Sequence, residues 1–253
     1  MSRRQIVAGN WKMHKTPREA KFFANTLLAM PIKGFKVIVC PSFTALTEVA
    51  EVLRGSQISV GAQNVHYERA GAYTGEISVE MLKQIGVEYV IVGHSERRHI
   101  FGEDDEMIAK KVRAVLDAQM RPILCVGETK EEREKGITFC VVESQLRQAL
   151  FGVTRDEASK VIVAYEPVWA IGTGVVATPE QAQEVHEFIR DVISEIYDEE
   201  VSRSMSILYG GSIKPSNFLK LIVQPDIDGG LVGGASLNEQ FLELGKIMCQ
   251  VCE

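Results

Sequence analysis

The chain has 253 residues, of which 45% are hydrophobic and 25% charged, and its formal net charge is −6. That balance excludes a disordered chain, which lacks apolar content, and argues against a nucleic-acid binder, which needs a basic face. The longest stretches without Asp, Glu, Lys or Arg, Pro167 to Pro179 and Gly55 to Tyr67, hold 13 residues each, short of the roughly 20 that a membrane-spanning helix needs.

Met1-Ser2-Arg3-Arg4 leads directly into the first apolar run, Ile6-Val7-Ala8, which leaves no room for a signal peptide. Thr16-Pro17-Arg18-Glu19 then has the form of a capping box with proline at the first helical position, and Phe22, Phe23, Leu27 and Leu28 follow as a candidate apolar face. The next apolar runs are Val37 to Val39, Ile58 to Val60, Tyr89 to Val92 and Ile123 to Val126. A second cap, Thr129 to Glu132, comes before the run Val161 to Ala164. A third, Thr178 to Gln181, opens a helix with Ala182, Val185, Ile189, Val192 and Ile196 at helical spacing. Ser206 to Tyr209 and Leu231-Val232 are the last two runs.

Apolar runs without polar alternation read as strands buried on both faces, and their alternation with helices implies right-handed βαβ units in a parallel sheet. Eight such units in about 250 residues fit a closed (β/α)8 barrel. No linker or compositional shift divides the chain, so residues 1–253 are expected to form one α/β domain.

In a parallel barrel the C-terminal strand ends converge on one face, where catalytic residues gather. Here those ends read Gly9-Asn10-Trp11-Lys12, Gly61-Ala62-Gln63-Asn64, Gly93-His94-Ser95-Glu96, Tyr165-Glu166-Pro167, Tyr209-Gly210-Gly211-Ser212 and Val232-Gly233-Gly234. Glycine pairs after the last two strands let backbone N–H groups approach an anion, so this rim is a candidate phosphate site. No H-E-x-x-H and no Cys/His cluster is present, and neither a metal nor a cofactor is expected. The absence of G-x-S-x-G argues against an esterase.

Ala8 to Met13, Gly61 to Asn64, Gly71 to Glu76, Gly93 to Arg98, Ala164 to Gly174, Tyr209 to Ser212 and Gly229 to Leu237 together resemble the triosephosphate isomerase family, in order and along the whole chain. The resemblance implies interconversion of dihydroxyacetone phosphate and glyceraldehyde 3-phosphate through an enediolate. It implies Glu166 as the base, strengthened toward neutral pKa as an apolar lid closes over it. It implies His94 as a neutral electrophile, Lys12 and Asn10 as donors to the enediolate oxygen, and Glu96 as the partner of Lys12. Gly172, Ser212, Gly233 and Gly234 would hold the phosphate. The lid would be Pro167, Val168, Trp169, Ala170, Ile171, Gly172, Thr173, Gly174 and Val175, with Val175-Val176 standing where the family often has Lys-Thr. The long connection Gln63 to Glu76 implies a homodimer in which Thr74 reaches the neighbouring subunit's site, with Trp11, Met13 and Tyr73 partly at the interface.

Two other readings use the same residues. Gly172-Thr173-Gly174-Val175-Val176-Ala177 fits a dinucleotide fingerprint followed by Asp191, but a strand does not lead straight into it, nor does it open the helix capped at Thr178. A phosphate-binding barrel without catalysis would have no use for Lys12, His94 and Glu166 together. Five cysteines, an odd number at low density, point to a reducing compartment, the cytoplasm. Cys249-Gln-Val-Cys252 has no second pair at metal spacing, and Cys125 and Cys140 read as packed thiols.

Overall fold

The computed structural model describes residues 3–171 and 177–252. Eight parallel strands close into a barrel in sequence order: β1 (Gln5–Asn10), β2 (Phe35–Cys40), β3 (Ile58–Ala62), β4 (Tyr89–Val92), β5 (Arg121–Val126), β6 (Ile162–Tyr165), β7 (Ser206–Tyr209) and β8 (Gly229–Val232). Closure comes from β1 pairing with β8, Ile6 opposite Gly229 and Gly9 opposite Val232.

Side chains alternate across a strand with a period of two, and the two cores divide accordingly. Ile6, Ala8, Ile38, Ile91, Ile123, Ile162, Ala164, Leu208 and Leu231 fill the barrel interior, while Val7, Val37, Val39, Val90, Leu124, Val163 and Tyr165 face the surrounding helices. Each aliphatic side chain so buried contributes about 1.5–3 kcal/mol relative to exposure. This alternation also positions the rim. Continuing the interior parity past Ala8, Ala164, Leu208 and Leu231 arrives at Asn10, Glu166, Gly210 and Gly233.

All three expected capping boxes form, at the starts of Pro17–Leu27, Lys130–Glu134 and Pro179–Ile196, and Thr154 with Glu157 makes another before Arg155–Ala158. The inward face of the first helix is Ala20, Phe23, Ala24 and Leu27. Phe22 and Leu28, expected in that face, are exposed: Phe22 lies off the i, i+3, i+4 stripe, and Leu28 is the C-cap, past the last helical residue. Trp11 is fully buried against Phe23, with ring centroids 5.5 Å apart. It therefore belongs to the core of a single chain and not to an interface. Cys125 is buried as expected, whereas Cys140 is exposed on a helix surface. Among the described residues no helix is long and apolar enough to cross a membrane.

Candidate active site

Gly127 and Gly93 shape the rim. A Cβ on Gly127 would lie 1.9 Å from the Glu166 carbonyl oxygen, so only glycine allows the two backbones this close. The Glu166 N–H donates to the Val126 carbonyl at 2.8 Å and extends the β5–β6 pairing to Glu166. Gly93 adopts φ +73°, which breaks the pleat of β4 and turns the next residue, His94, toward the cavity. His94 then caps the helix Ser95–His99, its Nδ1 accepting the Glu96 N–H at 3.2 Å.

That bond assigns the tautomer. A backbone N–H only donates, so Nδ1 is unprotonated and the ring proton lies on Nε2, 3.0 Å from Glu166 Oε1. The second carboxylate oxygen of Glu166 accepts the Ser95 N–H at 2.9 Å. Burial opposes charge on both groups, but their mutual attraction and hydrogen bond outweigh it. While they face each other the Glu166 carboxyl stands below, and the His94 ring above, its ordinary value. Protonation of Nδ1 would cost the Glu96 bond, which works against the rise that Glu166 imposes on the ring. Here the His94 ring, the Ser95 N–H and the nearby Lys12 charge hold the Glu166 carboxyl down; the expected strengthening belongs to closure of a lid whose residues 172–175 lie outside the described residues.

Lys12 has φ +50°, and its backbone is held by Asn10 Oδ1, which accepts its N–H at 3.0 Å, and by Gln63, which donates to its carbonyl at 2.8 Å. Its Nζ donates to Glu96 Oε1 at 2.7 Å, the pairing expected. A Cβ on Gly233 would lie 3.6 Å from Lys12 Cε, so the lysine stem runs beside the glycine turn. Gly233 is followed by a short 3₁₀ helix, Gly234–Leu237, and Ser236 Oγ donates to the Gly233 carbonyl at 2.7 Å. The Ser212 carbonyl accepts from Asn217 at 2.9 Å.

A cavity of about 370 Å³ joins these parts, lined by Asn10, Lys12, His94, Glu166, Ile171, Ser212, Gly233 and Gly234 among others. Residues 10, 12, 94, 166, 212, 233 and 234 therefore share one cavity, and Glu96 joins them through its bond to Lys12. Thr74 is exposed on its loop and does not line this cavity. Of the expected lid, Pro167 to Ile171 is described, with a 3₁₀ turn at Val168–Ala170. Gly172, Thr173, Gly174 and Val175, with the phosphate role expected of Gly172, lie outside the described residues.

Sequence reasoning passed over Glu128. It is fully buried just past β5, accepting Trp169 Nε1–H at 2.7 Å and the Tyr165 hydroxyl at 3.1 Å, and it faces Arg133 at 3.3 Å. The Val168 N–H donates to its carbonyl at 3.1 Å, so Glu128 anchors the segment that follows β6. Its signal was Gly127-Glu128 at a strand end, the pattern used at the other strands. Among the described residues no group of three or more His, Cys, Asp or Glu could hold a metal ion.

A closed (β/α)8 barrel with a carboxylate and an imidazole in contact at its C-terminal rim, and a lysine beside glycine turns, has the layout of a barrel enzyme. A family model described as triosephosphate isomerase matches residues 5–248. Proteins named triosephosphate isomerase from Carboxydothermus hydrogenoformans (53% identical, covering 96% of this chain and 98% of the relative), Caldanaerobacter subterraneus subsp. tengcongensis (54%, 93% and 95%) and Aquifex aeolicus (51%, 94% and 96%) are similar over nearly their whole lengths. The chain belongs to the triosephosphate isomerase family.

Proposed function

We propose that this isomerase interconverts dihydroxyacetone phosphate and glyceraldehyde 3-phosphate, with Glu166 as base, His94 as electrophile and Lys12 as the fixed cation. The observation that carries the reading is the Glu166–His94 contact of 3.0 Å inside a cavity that also holds Lys12.

The substrate carbonyl takes the Nε2–H of His94 in place of the carboxylate. Glu166, moved off His94 and Ser95 as the lid closes, loses the donors that depress its pKa and becomes a stronger base in a site without water. It removes a proton from the carbon beside the carbonyl and returns it to the neighbouring carbon. His94 exchanges its single proton between the two enediolate oxygens, and the Lys12 ammonium and Asn10 amide stabilise the negative oxygen. Every step is a proton transfer between these groups and the substrate, so the cycle needs no cofactor. Backbone N–H groups at Gly233, Gly234 and Ser212, together with Gly172, are the proposed phosphate cradle.

We infer that the active form is a homodimer. Met13 is 94% exposed, Tyr73, Ile100 and Phe101 are exposed nearby in sequence to the site, and a cavity of about 300 Å³ lined by Met13, Phe43 and Phe101 also touches Lys12 and Glu96. A partner segment carrying Thr74 would close that cavity. The loop is organised for docking: the His66 ring lies 4.3 Å from both Tyr67 and Tyr73. The low cysteine density favours the cytoplasm as its place of action.

A coupled assay for triose phosphate isomerisation tests the reading. Wild type is expected to turn over, and Lys12→Met to lose both substrate affinity and rate. No turnover in a folded wild-type sample, or a Lys12→Met variant equal to wild type, contradicts it.

A further inference from the structure

Beside the phosphate end of the active-site cavity lies a second, more open groove of about 830 Å³. His14 and Leu237 line both spaces, so the two adjoin at that wall. The groove shares no lining residue with the cavity assigned above to the dimer contact.

Three basic side chains, His14, Lys15 and Arg18, converge on the groove, and among the described residues none of them forms an ion pair. Glu19 is the one carboxylate in its lining, and it is already committed: its Oε2 accepts the Thr16 N–H and hydroxyl, both at 2.8 Å. Those bonds cap the helix start, and the groove's positive charge comes from the three basic side chains. Lys15 is held at φ +68°, a conformation unfavourable for a residue with a Cβ. Its ammonium lies 4.3 Å from the centroid of the Phe23 ring and 5.9 Å from that of Trp11. Burial pulls its pKa down, with Glu19 opposing. Phe22, 77% exposed in the same lining, adds an apolar wall that the fold does not use.

We propose that this groove binds the second phosphate of an organic bisphosphate longer than the substrate, whose first phosphate occupies the cradle at Gly233 and Gly234. The carbon spine crosses at Leu237 and lies along Phe22, and Lys15 and Arg18 meet the distal phosphate. Such a molecule competes with the triose phosphate. This inference rests on the proposed phosphate cradle.

The test uses a series of α,ω-alkanediol bisphosphates of increasing length and the matching monophosphates, at constant ionic strength because exposed charges are screened by salt. Binding is measured by calorimetry and inhibition by the coupled assay. One chain length is expected to bind about tenfold more tightly than its monophosphate, the scale of a single charge-assisted hydrogen bond, and to inhibit competitively. Lys15→Met combined with Arg18→Ala is expected to abolish that advantage while leaving kcat and KM unchanged; Arg18→Glu alone is the second variant should the pair fold poorly. Bisphosphates no tighter than monophosphates, or an advantage that survives both variants, overturn the proposal. Absence of turnover with the calorimetric advantage intact would instead remove the isomerase reading and keep the groove.

Discussion

Glu166, the proposed base, is held in its ionised form. Its carboxylate accepts from His94 and Ser95 at 3.0 and 2.9 Å, in a site where burial alone would raise its pKa. Hydrogen bonds to a charged group are worth about 1.5–3 kcal/mol each, so under the proposed mechanism these two must be given up before the carboxylate acts on substrate. His186 presents the opposite situation. It is fully buried, its Nδ1–H donates to the Asp226 carbonyl at 3.1 Å, and its Nε2 has no hydrogen-bond partner among the described residues. Burial pushes its pKa down to about 3 from the ordinary 6.5. The unfolded chain takes up a proton at this position below pH 6.5 and the folded chain does not until about 3. Its contribution is intact above that window and falls as pH drops through it, by up to about 1.4 kcal/mol per pH unit. Urea unfolding from pH 7 downward is therefore expected to show a shallower loss of stability in His186→Asn than in wild type. Equal slopes would contradict the assignment.

At the scale of strands and helices, most of the architecture was legible because period and burial coincide. A run such as Tyr89-Val90-Ile91-Val92 is apolar on both faces only in a sheet covered on both sides, and β4 is the strand it forms. Capping boxes were legible for a similar reason: Thr and Glu three residues apart satisfy each other's backbone donors locally, whatever the rest of the fold does. What escaped was decided by neighbours distant in sequence. Phe22 looked like core until the helix face was fixed by what it packs on. Trp11 is expected, with Met13, partly at a subunit interface, yet it fills the space above Phe23. Glu128 matters through Trp169, 41 residues away. The resting pKa of Glu166 depends on Ser95, 71 residues away, whose N–H is made available by the turn at Gly93.

For the molecule as a whole, an acidic chain that binds an anion needs its positive potential concentrated, and Lys12 beside the glycine turns supplies it. The exposed apolar residues around Met13 and Tyr73 belong to the same scale, since a stable dimer buries about 1,600 Å² in total. Sedimentation equilibrium is expected to give twice the 28.1 kDa chain mass, and Tyr73→Asp at the loop tip is expected to give a monomer with lower kcat/KM; a fully active wild-type monomer would contradict the dimer. The account depends most on Glu166 moving a proton between two carbons, and the direct measurement is isomerisation of glyceraldehyde 3-phosphate in D2O followed by NMR, with wild type and Glu166→Gln side by side. The prediction is solvent deuterium on carbon in the wild-type product and turnover about 10³-fold lower in the variant; a Glu166→Gln enzyme that isomerises at the wild-type rate with the same deuterium content would contradict it.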